Sequence, residues 1–172
     1  MKAIATLIGS AVILSAVVGA AMTPNQESLQ AERIFAAVDR LVEQRAAAPA
    51  ELEQLVRTKL VPVPELSNQF FKVYRGDFQP PSPFKQLEVR RSIARDPDRG
   101  VIILEISDNF CIDSAAVRAR FGTQPALAPP LSRQPPGSPV YYVYEKPWGK
   151  LSFAVSRGAP ECLRRAVIDW HS

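Results

Sequence analysis

DSAAVRARFG, residues 113–122, carries the clearest secondary-structure signals in this chain. Asp113 is a favoured helix N-cap because its carboxylate can accept a hydrogen bond from a backbone N–H of the first turn. Ile112 and Val117 flank the cap at the spacing of a hydrophobic staple, and Gly122 is the residue type that most often follows a last helical turn. The segment therefore predicts a helix that begins after Asp113 and stops at Gly122.

Three strand-like runs follow this helix, after a long connection that contains several prolines. The runs cover residues 140–144, 151–155 and 162–170, with turns at 146–149 and 158–160 between them. Because neighbouring runs are joined by short turns, they predict an antiparallel meander. Residues 112–170 are therefore expected to form one unit, which consists of a helix and three strands.

The same order of elements is expected upstream, at residues 49–106. Apolar residues at helical spacing within residues 52–60 predict a helix, which Pro62 ends. The strand-like runs that follow cover residues 70–75, 84–91 and 101–106. In the second of these runs, alternation places Glu88 and Arg90 on the outer face of the strand.

The two units are expected to be pseudo-repeats, because they share the order of their elements but not their residues. An N-terminal helix over residues 24–47 is predicted to precede them, from Thr23 as N-cap, Pro24 in the first turn and an apolar stripe. Two such units can merge their strands into one sheet with the helices packed on one face. The predicted fold class is α+β, with tandem units of a helix plus a three-stranded antiparallel meander after an N-terminal helix.

The first 22 residues indicate export from the cytoplasm. Lys2 precedes an uncharged run over residues 3–22 that ends in small residues, which is the layout of a signal peptide. The run is about 20 residues long, which is also enough for an uncleaved helix to cross a bilayer. We therefore expect residues 1–22 to be a signal peptide or an inner-membrane anchor, and residues 23–172 to form a single periplasmic or otherwise extracytoplasmic domain. Membrane contact is expected only through residues 3–22, if they are uncleaved.

Cys111 and Cys162 are the only two cysteines of the chain. In an oxidising compartment a disulfide between them is the expected state, and two buried free thiols are the main alternative. Redox or metal chemistry is disfavoured, because no CxxC spacing occurs and two cysteines cannot complete a zinc site. The bridge would tie the start of the 113–122 helix to the last strand and would stabilise the fold by about 4 kcal/mol in the chain-entropy model.

The composition argues against most enzyme chemistry and against nucleic-acid binding. The chain of 172 residues has one histidine, His171, next to its C-terminus, so histidine-dependent catalysis and metal sites are not expected. The net charge of +4 is spread along the chain and is too small to indicate a nucleic-acid partner. We therefore expect a protein without catalysis, cofactor or metal; the enzymatic alternative is a carboxylate mechanism drawn from Glu105, Asp108 and Asp113.

Tyr142, Tyr144 and Trp148 are the predicted binding residues. Tyrosine and tryptophan anchor interfaces because they bury a large area at low entropic cost and keep a polar tip. Alternation places Tyr142 and Tyr144 on one face of their strand and Tyr141 on the other. Two other interpretations remain open: the rings could cover the core, or they could form a glycan- or lipid-binding module.

The C-terminal unit also has a pattern of residues in its helix and its meander. The pattern consists of Ser114, Val117, Phe121, Gly122, Pro125, Tyr142, Tyr144, Leu151 and Phe153. It resembles the small exported domains of the SmpA/OmlA lipoproteins of the barrel-assembly machinery, and the tandem unit of the β-lactamase inhibitor protein. This resemblance implies binding to protein surfaces through an open sheet face and loops, without catalysis. We therefore expect an exported envelope protein that binds a protein partner, as an inhibitor, an immunity factor or an assembly accessory.

Overall fold

A computed structural model of the chain describes residues 24–93 and 99–171, with side chains from residue 28 onward. The described part contains three α-helices, α1 (Pro24–Glu43), α2 (Pro49–Val56) and α3 (Ser114–Phe121), and a short 3-10 helix at Pro64–Leu66. Its strands are β1 (Val61–Pro62), β2 (Phe71–Asp77), β3 (Phe84–Ser92), β4 (Gly100–Ile106), β5 (Ala126–Ala128), β6 (Val140–Lys146), β7 (Gly149–Val155) and β8 (Leu163–Trp170). The predicted signal or anchor segment, residues 1–22, lies outside the described residues. Among the residues that are described, no helix is long and apolar enough to span a bilayer.

The strands form one open sheet in the order β1-β2-β3-β4-β8-β7-β6-β5, and each neighbouring pair is antiparallel. The last strands of the two halves, β4 and β8, pair at its centre. The predicted fold class, α+β with tandem units of a helix and a three-stranded meander, is wrong. The described chain forms one open antiparallel sheet of eight strands with three helices, and each half contributes four strands where three were predicted. The prediction missed β1 and β5, which lie in proline-bearing segments that the sequence assigns to connections.

Prolines are compatible with β1 and β5 because these strands form the two edges of the sheet. In β1, the backbone N–H of Val63 donates to the carbonyl of Val73 at 2.9 Å, so the ring nitrogen of Pro62 faces away from β2. In β5, Pro125 and Pro129 stand immediately before and after the three paired residues. A proline nitrogen cannot donate a hydrogen bond, so Pro62 offers no N–H on the outer side of β1, and β5 is bounded at both ends by residues without this donor.

The main hydrophobic core lies between the sheet and the helices. The fully buried residues of α1 recur at helical spacing: Ile34, Val38 and Leu41. They belong to one cluster with alternate residues of the central strands: Leu87, Ile102, Leu104, Ile168 and Phe153. The ring centroid of Phe121 in α3 lies 5.3 Å from that of Phe35 in α1 and 4.5 Å from that of Phe153. The three helices therefore cover this side of the sheet, which we name the helix-covered face.

The predicted signals around α3 are confirmed. Asp113 Oδ1 accepts a hydrogen bond from the backbone N–H of Ala115 at 2.7 Å. Gly122 ends the helix with a φ of 134°, a conformation that favours glycine. The predicted disulfide is also present, with the Cα atoms of Cys111 and Cys162 4.8 Å apart. The crosslink joins the residues that precede α3 to those that precede β8, so it holds the start of α3 at the sheet.

Candidate functional site

Tyr142 and Tyr144, two of the three predicted binding residues, lie on the helix-covered face and are each 8% exposed. Arg118 donates to the Tyr142 hydroxyl at 3.0 Å, and the Tyr144 hydroxyl donates to the carbonyl of Gly122 at 2.9 Å. Burial raises the pKa of Tyr144, which keeps its hydroxyl protonated as this donor. Both side chains therefore hold α3 against the sheet, and their role in binding stays a prediction.

Trp148, the third predicted binding residue, lies in the turn between β6 and β7 and is half-buried. The guanidinium carbon of Arg45, in the connection between α1 and α2, lies 5.0 Å from the centroid of its ring. This cation–π contact joins the turn between β6 and β7 to the connection between α1 and α2. Part of Trp148 remains accessible, and its role in binding also stays a prediction.

The second face of the sheet, which we name the open face, carries the alternate side chains that point away from the helices. Its central row passes through directly opposed residues of six strands: Arg75, Glu88, Ile103, Val167, Ser152 and Val143. Three of these residues, Ile103, Val167 and Val143, are half-buried aliphatic side chains, which we name the apolar strip. Part of the apolar strip is therefore in contact with solvent at the centre of the sheet.

Glu88 forms an ion cluster with Arg75 and Arg90 at one end of this row. Arg75 donates to Glu88 Oε2 through Nε at 3.1 Å and Nη2 at 2.5 Å, while Arg90 donates to Oε1 through Nε and Nη2, both at 2.6 Å. The Glu88 side chain is only 7% exposed. Burial alone would raise the pKa of Glu88, but the hydrogen bonds and charges of the two arginines bring it below its ordinary value. The carboxylate is therefore ionised and fixes both guanidinium groups.

A second cluster on the open face joins Glu105, Arg165 and Tyr141. Arg165 Nη2 lies 2.6 Å from Glu105 Oε1, and Arg165 Nη1 donates to the Tyr141 hydroxyl at 3.3 Å. Burial alone would lower the pKa of Arg165, but the hydrogen bond and the charge of Glu105 raise it. Tyr141 is half-buried, so the tyrosine that alternation places opposite to Tyr142 contributes aromatic surface to the open face.

The carboxylates considered for an enzymatic mechanism each have a structural contact. Glu105 pairs with Arg165, Asp108 Oδ1 lies 3.2 Å from Arg164 Nη1, and Asp113 caps α3. In the described part of the chain, no group of three or more histidine, cysteine, aspartate or glutamate residues is placed to hold a metal ion. The half-buried apolar strip and the paired charges around it make the open face the candidate site.

Sequence reasoning did not identify the members of this site as neighbours. Alternation places Glu88 and Arg90 on the outer face, but their contact with Arg75 depends on the register between β2 and β3. The apolar strip had one signal in the sequence, the continuous apolar run at residues 101–104. Such a run indicates a strand with apolar residues on both of its faces, one of which need not be covered by a helix.

Comparison with known proteins gives no relative for this chain. No protein-family model matches it, and neither a curated protein nor a solved structure matches it significantly. The likeness to the SmpA/OmlA domains therefore stays a prediction.

Proposed function

We propose that this protein is an exported envelope protein that binds another protein through the open face, without catalysis, as an inhibitor, an immunity factor or an assembly accessory. The observation that carries the proposal is the apolar strip, which is half-buried and lies among charged residues that are already paired. A partner that covers the strip would remove apolar area from water, which favours association by about 25 cal/mol per Å².

The residue types of the open face suit a protein partner. Protein interfaces combine an apolar centre with a polar rim, and they are enriched in tyrosine and arginine. Tyr141 supplies an aromatic side chain, and Arg75, Arg90 and Arg165 supply guanidinium groups. Because carboxylates already fix these arginines, less side-chain entropy would be lost when a partner binds.

The proposal places the protein outside the cytoplasm, in the periplasm or an equivalent compartment. The disulfide between Cys111 and Cys162 is compatible with this location, because such bonds persist in oxidising compartments. Fractionation of cells that express the chain, with thiol labelling before and after reduction, would test it. We expect an envelope fraction in which both cysteines resist labelling until reduced; a cytosolic chain with two reactive thiols would contradict the proposal.

The binding role is tested by capture of partners from envelope extracts with the full chain and two variants. Ile103→Arg places a charge in the apolar strip, and Leu29→Arg places the same charge on α1, where Leu29 is 57% exposed. We expect one partner whose recovery falls by about tenfold or more with Ile103→Arg and is unchanged with Leu29→Arg. Thermal unfolding of both variants controls for folding, and Val143→Lys provides a second substitution in the strip. Failure to enrich any partner, or equal recovery with all variants, would contradict the proposal.

A further inference from the structure

We infer that the partner places a carboxylate, from an aspartate or glutamate side chain next to an apolar residue, on the cluster of Arg75, Glu88 and Arg90. This inference rests on the proposed function, because it assigns the chemistry of the partner at the open face. It starts from an imbalance in the cluster, in which two guanidinium groups share one carboxylate. The cluster therefore has a net charge of +1 at neutral pH, when all three groups are ionised.

The positive charge of the cluster is its accessible part. The side chains of Arg75 and Arg90 are 35% and 46% exposed, whereas that of Glu88 is 7% exposed. A partner that approaches the open face would therefore meet the guanidinium groups before it met the carboxylate. Complementary charge on the partner is negative.

The hydrogen-bond geometry leaves donors for an additional acceptor. Both arginines bind Glu88 through Nε and Nη2, so the Nη1 group of each is outside this pairing. A guanidinium has five N–H donors in a planar arrangement that matches a carboxylate. Each Nη1 group can therefore donate to a carboxylate of the partner while Glu88 keeps both side chains in place.

The residues around the cluster indicate which type of residue should lie next to the partner's carboxylate. Arg90 stands opposite Val73 in β2 and Val101 in β4, and Glu88 stands opposite Ile103 in β4. On the β4 side the cluster is thus bordered by the half-buried aliphatic side chains of Val101 and Ile103, and Ile103 begins the apolar strip. On the β2 side Val73 is fully buried, and the exposed Asp77 follows Arg75 on the same face. An acidic residue with an apolar neighbour would place one side chain on the arginines and the other on the strip.

Stability alone is a poor explanation for this cluster. Glu88 is the buried member, and removing its charge from water costs free energy that the contacts with the arginines must first offset. A carboxylate that positions two arginines does have a use in binding, since fixed donors lose little entropy when a ligand carboxylate arrives. Glu88 is therefore a positioning residue, and Arg75 and Arg90 are the binding residues.

The experiment uses random peptides displayed on phage and selected against the full chain. We expect the selected peptides to share an aspartate or glutamate beside a valine, isoleucine or aromatic residue. The affinity of a selected peptide should fall by about tenfold or more when its acidic residue is replaced by the amide, or when the protein carries Arg75→Gln and Arg90→Gln. A matched control, Arg33→Gln with Lys59→Gln, removes the same charge from two exposed residues outside the cluster and should leave the affinity unchanged.

Glu88→Gln separates positioning from simple charge attraction. This substitution makes the open face more positive, so a partner held only by long-range attraction would bind more tightly. If Glu88 positions the arginines, the selected peptide should instead bind several-fold more weakly to the Glu88→Gln variant. Tighter binding to this variant would overturn the positioning role.

The outcomes distinguish this inference from the proposed function. Peptides that lose binding with Ile103→Arg but keep it with Arg75→Gln and Arg90→Gln would overturn the acidic partner and leave the open face as a binding surface. Peptides whose binding is unaffected by all of these substitutions would overturn both. Selection without enrichment of acidic residues would also overturn the inference, whatever the variants show.

Discussion

Ile102 and Ile103 are adjacent in β4, yet they belong to two faces of the sheet with different physical properties. Ile102 is fully buried in the core beneath the helices, with Leu87 and Ile168 in the same cluster. Ile103 points to the open face and keeps part of its surface in water. The helix-covered face is therefore where burial stabilises the fold, and the open face holds apolar area that a partner could still bury.

Charge is distributed between the two faces in a way that strengthens this contrast. On the open face, Glu88 and Arg165 form ion pairs with partners on the same face. On the helix-covered face, the polar groups of Tyr142 and Tyr144 connect the sheet to α3. Polar contacts thus join α3 to the sheet on the helix-covered face, whereas on the open face they hold exposed side chains in place. Substitutions on the two faces should accordingly differ in their effects on stability.

The largest expected effect comes from removing the disulfide, which holds α3 at the helix-covered face. The bond closes a loop between residues 51 apart in sequence, and the chain-entropy model assigns about 4 kcal/mol to a loop of that length. Cys111→Ser with Cys162→Ser should lower the free energy of unfolding by roughly this amount, measured by urea denaturation. The reduced wild-type protein is the control and should lose a similar amount. If the two proteins are as stable as the oxidised chain, the crosslink does not stabilise the helix-covered face.

The second-largest effect on the free energy of unfolding is expected from Ile102→Ala, and Ile103→Ala is the comparison. The first removes fully buried atoms from the core and should cost about 2 to 5 kcal/mol, because such truncations lose apolar burial and leave a cavity. The second removes atoms that are partly in water, so a cost of about 1 kcal/mol is expected. Urea denaturation of both variants measures the difference. Equal costs would show that the open face stabilises the fold as much as the helix-covered face does.

Glu88→Gln tests whether the open-face cluster contributes to stability in a pH-dependent way. The folded-state pKa of Glu88 lies below the ordinary value of a glutamate, about 4.3 in an unfolded chain. Its contribution should therefore be fully present above about pH 4.3 and should be lost as pH falls through the lower folded pKa. We expect the variant to be about 2 kcal/mol less stable than wild type at pH 7, because charged hydrogen bonds to Arg75 and Arg90 are lost.

Urea denaturation across pH 3 to 7 provides the measurement, since the difference between the two proteins should shrink at the acidic end. Asp108→Asn is a suitable control, because that carboxylate is 76% exposed. Its substitution should change stability little at any pH in this range. A constant difference between wild type and Glu88→Gln across the range would exclude the cluster as the source of the effect.

Local signals in the sequence were sufficient for α3 and for the disulfide. Asp113 and Gly122 act through hydrogen bonds and backbone conformation within a few residues, so their effect can be predicted without a fold. The pairing of Cys111 with Cys162 followed because no other cysteine exists. These features were predictable because neither depends on the register between distant strands.

The edge strands and the candidate site could not be predicted in the same way. Pro62 is incompatible with the interior of a helix or a central strand. Whether it lies in a loop or in an edge strand of the sheet depends on whether another strand, here β2, pairs with it. The cluster of Arg75, Glu88 and Arg90 depends on the pairing of β2 with β3, and a shift by one residue would turn these side chains to the other face. The register is set by the assembled sheet. The alternation of residues therefore predicts the face on which Glu88 lies, but it does not predict the arginines that Glu88 contacts.

The smallest predicted difference concerns Tyr141 and Tyr142, which are neighbours on opposite faces of β6. Tyr142→Phe removes a hydroxyl that is hydrogen-bonded to Arg118 of α3 at 3.0 Å within a nearly buried contact, so it should cost about 1 kcal/mol. Tyr141→Phe removes a longer contact with Arg165, which keeps its pairing with Glu105, so a cost of a few tenths of a kcal/mol is expected. Thermal unfolding of both variants would resolve the order, because each keeps its aromatic ring. If Tyr141→Phe proved the more destabilising, the contact between the Tyr141 hydroxyl and Arg165 would stabilise the fold. Tyr141 would then have a structural role, and its exposure would be weaker support for a role in binding a partner.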